Sequence, residues 1–91
     1  MSHKFSLGRI VATPGALEAL QESDEEASFF IDRHASGDWG VVSVDDKLRN
    51  EEALREGSRI FSAYTLLNDV RIWIITEADR SVTTILLPDE Y

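Results

Sequence analysis

Three stretches decide the fold: Arg59-Ile-Phe-Ser-Ala-Tyr-Thr-Leu66, Val70-Arg-Ile-Trp-Ile-Ile-Thr-Glu77 and Ser81-Val-Thr-Thr-Ile-Leu-Leu87. Each is rich in β-branched and aromatic residues, and each is bounded by polar turn residues: Leu67-Asn68-Asp69 after the first, Ala78-Asp79-Arg80 after the second. Together they read as a three-stranded antiparallel meander. In the middle stretch Val70, Ile72, Ile74 and Thr76 share one face while Arg71, Trp73, Ile75 and Glu77 share the other. A strand that is apolar on both sides belongs in the interior of a sheet. Pro88 ends the last strand, since it has no N–H to give to a ladder.

The chain before Arg59 carries the helical signals. Thr13-Pro14 starts a helix that runs to about Glu22, with Ala16, Leu17 and Leu20 on its apolar side. Ser23-Asp24-Glu25-Glu26 reads as a capping box opening a second helix, whose stripe Ala27, Phe30, Ile31, His34 ends before Gly37. Ser43 caps a third helix that ends at Gly57. Its apolar residues Val44, Leu48 and Leu54 form a thin stripe with Glu51 near the middle, where Lys47 and Arg55 are possible partners at i ± 4. Phe5 to Ala12 reads as a first strand, short or bulged at Gly8. The expected architecture is therefore α+β, one domain in the order β-α-α-α-β-β-β, with a four-stranded antiparallel sheet and helices packed on one face.

Composition bounds the function. Ninety-one residues hold a single core, and the absence of cysteine removes disulfides, thiolate metal sites and cysteine nucleophiles. The longest stretch free of charged residues and histidine, Ile60 to Asn68, is too short to span a bilayer, and Met1 to Ile10 lacks the apolar core of a secretion signal. Cytoplasmic location, with no membrane partner, is the expectation. The net charge is −8, and residues 13–57 carry 12 acids against 4 bases. Such a surface repels phosphate backbones and favours a protein as partner. The five glycines form neither a P-loop nor a dinucleotide fingerprint, so no cofactor is expected; His3 and His34 lack metal-ligand spacing, and the acids stand where helix first turns ordinarily carry them, so no metal is expected.

What remains is a set of polar residues at the ends of elements. His34 has the one side-chain type that titrates near neutrality, and Arg80 can clamp a phosphate through two parallel bonds. Ser62, Thr76 and Thr84 can position an oxyanion or a 2′-hydroxyl. Thr84 shares the face of Ser62 and Thr76 only if the last turn has an odd residue count. Asp38, Trp39 and Tyr64 are candidate binding residues. This set suits metal-free RNA transesterification, with His34 as acid or base and Arg80 stabilising the pentavalent phosphate.

His34-Ala-Ser-Gly-Asp-Trp-Gly40, Ser62-Ala-Tyr64 and the long segment from Ile72 to Tyr91 resemble a family of short bacterial proteins labelled "plasmid-related protein". The resemblance covers nearly the whole chain and implies a bacterial origin in an accessory genetic element. In element order and residue type alone, the helices-then-meander arrangement is also similar to the barnase, EndoU, colicin and RelE-like nucleases. Two expectations follow. One is a non-enzymatic interaction or regulatory module that meets another protein through its acidic helices or a strand edge. The alternative is a ribonuclease or toxin-like domain acting on RNA through His34 and Arg80.

Overall fold

The computed structural model describes residues 3–91. The order is β1 (Arg9–Ala12), α1 (Pro14–Ser23), α2 (Ala27–Ala35), α3 (Val44–Glu56), β2 (Ile60–Thr65), β3 (Arg71–Thr76) and β4 (Val82–Leu86), followed by a 3-10 turn (Pro88–Glu90). Thr13 caps α1 by accepting from the Ala16 amide, Ser43 caps α3 by accepting from the Asp46 amide, and Gly57 ends α3 in the left-handed region. The expected capping box at Ser23 does not form. Ser23 closes α1 instead, donating its hydroxyl to the Leu20 carbonyl, while Asp24 takes the left-handed cap at φ 58° and Glu26 precedes α2 without a side-chain cap. Ser23 and Asp24 thus serve the end of one helix rather than the start of the next.

The sheet order is β1-β4-β3-β2, and it is mixed. The meander β2-β3-β4 is antiparallel as expected, but β1 pairs with β4 in parallel, Ile10 beside Thr83 and Ala12 beside Ile85, which corrects the wholly antiparallel sheet. The ends of β1 set its direction. Arg9 donates to the Ser81 carbonyl, Thr13 donates to that of Ile85, and Thr13 must also launch α1. The strand is shorter than the expected Phe5 to Ala12 because Gly8, at φ 63°, passes against the backbone of Arg80 and Ser81; a Cβ there would lie 2.3 Å from the Arg80 carbonyl oxygen.

Register divides the sheet into two unlike faces. Ile60, Ser62, Tyr64, Ile72, Ile74, Thr76, Thr83 and Ile85 face the helices, and all are buried. There Ala16, Ala19 and Leu20 of α1 and Phe30 of α2 join Tyr64, Ile72, Ile74 and Ile85 in the main core, while Trp39, Ala53 and Ile60 form a smaller one. The other face presents Val11, Thr84, Ile75 and Phe61 in one row and Leu86, Trp73 and Ala63 in the next; no α-helix of the described residues packs over them, but Ile75, Leu86 and Ala63 are buried and Tyr91 stands against Trp73.

The two sheet edges also differ. The outer edge of β2 is sealed: the Asn50 side chain accepts from the Phe61 amide (3.0 Å) and donates to its carbonyl (2.7 Å), and Ala63 bonds Trp39 and Val41 in the same two-way manner. Arg9 and Thr13 turn their amides toward β4, so Ile10 and Ala12, at alternating positions, turn theirs outward. Asn50 is buried while Val44 and Leu48 are 71% and 59% exposed, so α3 docks through Asn50 and Ala53 with Leu54 against the smaller core, and turns Val44 and Leu48 of its thin stripe to solvent.

Candidate functional site

His34 lies on the last turn of α2, on the same side as Phe30, and the helix delivers it to the middle of the buried sheet face. Its side chain has no exposed surface. Nδ1 lies 2.5 Å from the Ser62 hydroxyl of β2 and Nε2 lies 2.9 Å from the Thr76 hydroxyl of β3. Thr76 is in turn 2.7 Å from the Thr83 hydroxyl of β4, and Thr83 donates to the Leu7 carbonyl at 2.7 Å. The proton positions follow from that last carbonyl, which can only accept. Thr83 spends its proton on Leu7, so Thr76 donates to Thr83, His34 Nε2–H donates to Thr76, and Nδ1 accepts from Ser62. One neutral tautomer satisfies every member of the chain.

Burial without a charged partner pushes the His34 pKa down to about 4, so the imidazole is neutral at physiological pH. Phe5 closes the remaining side. Its ring meets His34 edge-on at 5.2 Å and stacks on Trp39 at 6.3 Å, and Lys4 ties this N-terminal arm to the Ala35 carbonyl. The geometry stabilises and locks; no side chain of the set has an open path to a substrate.

The structure brings His34, Ser62 and Thr76 together and separates the others. Thr84 lies on the opposite sheet face, next to Ile75 in the register. Four residues, 78–81, separate the paired Glu77 and Val82, an even count, so Thr83 takes the place beside Thr76. Arg80, at φ 60°, is committed to the backbone. Its guanidinium donates to the carbonyls of Ser58 (2.6 Å), Ala53 (3.0 Å), Glu77 (3.1 Å) and Ala78 (3.2 Å), answering the negative end of α3. It reaches toward the His34 region only through the Phe5 ring, 5.7 Å away.

Trp39 is buried, and its indole N–H donates to Glu51 at 3.1 Å, which gives that carboxylate a partner other than Lys47 or Arg55. The Asp38 carboxylate pairs with Arg33 at 2.7 Å, which holds its pKa below the usual carboxylate value, and its carbonyl accepts from Tyr64 at 2.6 Å. Burial pushes the Tyr64 hydroxyl up to about 12. Asp38 and Trp39 line a cleft of about 370 Å³ together with Lys47 and Glu51, whereas Tyr64 stands behind it in the core.

Leu7 and Asn50 escape the sequence reading, which takes Thr84 over Thr83 from the polar residues around the last turn. Thr83 looks like an ordinary strand threonine until the turn parity is known, Leu7 contributes only a carbonyl, and Asn50 hides in a highly charged helix. Among the described residues no three His, Asp or Glu side chains gather as metal ligands, and no helix is long and apolar enough to cross a membrane.

The uncovered face holds a second candidate. Phe61, Trp73, Ile75 and Tyr91 with Arg59 line an apolar cavity of about 250 Å³. Phe61 and Trp73 meet edge-on at 5.0 Å, and Tyr91, returned by the 3-10 turn, stands against Trp73 at 5.8 Å. Arg59 donates to the Tyr91 hydroxyl at 2.7 Å and pairs with Glu77 at 3.4 Å. Comparison with known protein families, with curated proteins and with solved structures finds no match to this chain.

Proposed function

We propose that this protein is a non-enzymatic interaction module that binds another protein through the uncovered face of its sheet. The observation that carries the reading is the aromatic cavity of Phe61, Trp73, Ile75 and Tyr91, set in a row-by-row apolar surface that no helix shields. Aromatic and arginine side chains around a small pocket are the usual anchors of protein recognition. The sealed state of His34 supports the same reading. A general acid or base must reach the proton it moves, and here both ring nitrogens are already spent inside the core. Arg80 is held by four carbonyls, Ser62 and Thr76 are bonded to His34, and Thr84 lies on the other sheet face. The resemblance to plasmid-related proteins adds the setting, a bacterial accessory element.

The test uses a photo-crosslinking amino acid placed in bacterial cells at position 84, at the centre of the uncovered face, and separately at position 52 on α3. A discrete protein adduct from position 84 and none from position 52 is expected. Discrete cleavage of total bacterial RNA in excess chelator, lost in a folded His34→Gln variant, would overturn the proposal in favour of a nuclease.

A further inference from the structure

The uncovered face is charged unlike the rest of the molecule. Residues 13–57, which form the helices, carry 12 acids and 4 bases. The face itself carries Arg9 beside Val82, Arg71 beside Thr65, and Arg59 paired with Glu77. Arg9 and Arg71 are exposed and form no ion pair with a described residue. They bracket the apolar rows. Along the strands the register runs from Arg71 through Trp73 and Ile75 to Glu77, which is level with Val82 and Arg9. That is six residues, or about 20 Å at 3.3 Å per residue.

The occupant's chemistry follows from these positions. Arg59 is engaged by Tyr91 and Glu77, so the cavity offers no free cation and suits an uncharged apolar side chain. A sheet face that carries no α-helix, with half-buried Val11, Phe61 and Trp73 around the cavity, can be completed by one, and a helix of about 14 residues spans about 20 Å. Carboxylates at its two ends would meet Arg71 and Arg9. A second copy of this chain fits badly in the same place, because face-to-face packing sets arginine rims against each other and brings together two chains of net charge −8.

We infer, building on the interaction reading above, that the sheet face receives an amphipathic helix of a partner protein. The helix places one large apolar residue in the Phe61–Trp73–Ile75–Tyr91 cavity and acidic residues over Arg9 and Arg71.

The probes are two synthetic 15-residue helical peptides with the same leucine- and tryptophan-bearing apolar face. One carries Glu at both ends and the other Lys. Binding to the full chain is read from backbone amide shifts. The Glu-ended peptide is expected to bind at least tenfold more tightly, to shift Arg9, Val11, Trp73, Ile75 and Thr84, and to weaken at least tenfold with Trp73→Ala. The double variant Arg9→Glu, Arg71→Glu alters only exposed side chains and is expected to reverse the preference between peptides. Equal or stronger binding of the Lys-ended peptide to the wild type, shifts confined to the helices, or no binding of either peptide would overturn the inference. If the peptides fail while position 84 still gives its adduct, only the helix chemistry falls. If that adduct is also missing, the interaction reading falls with it.

Discussion

The two faces of this sheet differ in how they treat polar side chains. The face under the helices carries a serine and two threonines that, with His34 of α2, have no exposed surface, whereas the face without an α-helix carries Phe61, Trp73, Val11 and Val82. The difference shows that burial admits polar groups beside Ile60, Ile72, Ile74 and Ile85 when every one of them is satisfied. His34, Ser62, Thr76 and Thr83 enter the core because each proton has one acceptor, down to the Leu7 carbonyl. On the other side no α-helix packs among the described residues, yet Ala63, Ile75 and Leu86 are buried by their neighbours and Val11, Phe61, Trp73 and Val82 are half-buried.

The contrast breaks if the faces prove equally costly to cut. His34→Ala removes packing, leaves the Ser62 hydroxyl without its acceptor and takes from Thr76 its donor, so a loss of about 3 kcal/mol is expected in urea denaturation. Trp73→Ala on the other face is expected to cost about 2 kcal/mol, less than His34→Ala because its ring is only partly buried. Equal losses would mean that the network is no more than filler.

Acid sharpens the comparison. A histidine whose pKa falls from 6.5 to about 4 on folding binds its proton more readily in the unfolded chain. Its stabilisation is therefore complete above pH 6.5 and drains away as pH falls toward 4, by about 3 kcal/mol in all. Asp38, whose pKa is lowered from 3.8 through its bond to Arg33, loses its contribution only below that range. Unfolding free energies measured between pH 7 and pH 4 should slope in the wild type and be much flatter in His34→Gln. A wild-type slope unchanged by that substitution would remove His34 as its source.

Two smaller effects complete the set. Asn50→Ala is expected to cost about 2 kcal/mol, because two backbone groups of Phe61 lose their partner at the β2 edge, and hydrogen exchange at the Phe61 amide should speed up. Thr83→Val is expected to cost about 1 kcal/mol while its neighbour Thr84→Val stays within about 0.5 kcal/mol. Adjacent threonines with matching losses would contradict the register.

Much of this fold is legible in the residues. The meander follows from three β-branched stretches and two turns, and three helices from Thr13-Pro14, the Phe30 stripe and Ser43 to Gly57. The parallel attachment of β1 is not, because it depends on where Ser81 and Ile85 present carbonyls, a property of the assembled sheet. The site was legible in half. Placing His34 at the end of a core-facing stripe points to burial, and period-two alternation places Ser62 with Thr76. Choosing between Thr83 and Thr84 requires the turn count, which sequence fixes only loosely. Arg80 was misleading because a guanidinium suited to phosphate suits helix-end carbonyls equally well. Asn50 was invisible, since edge capping leaves no periodic signal.

The unequal strand edges set the valence of the molecule. Growth of a continuous sheet needs two reactive edges on every unit, one to accept and one to pass the pairing on. Here β2 is closed by Asn50 and by the Trp39–Val41 segment, and only the four-residue β1 turns outward. Edge-to-edge pairing therefore terminates at two molecules. One asparagine and one loop block extension from β2, so the sheet has a single edge through which strands of another molecule can pair.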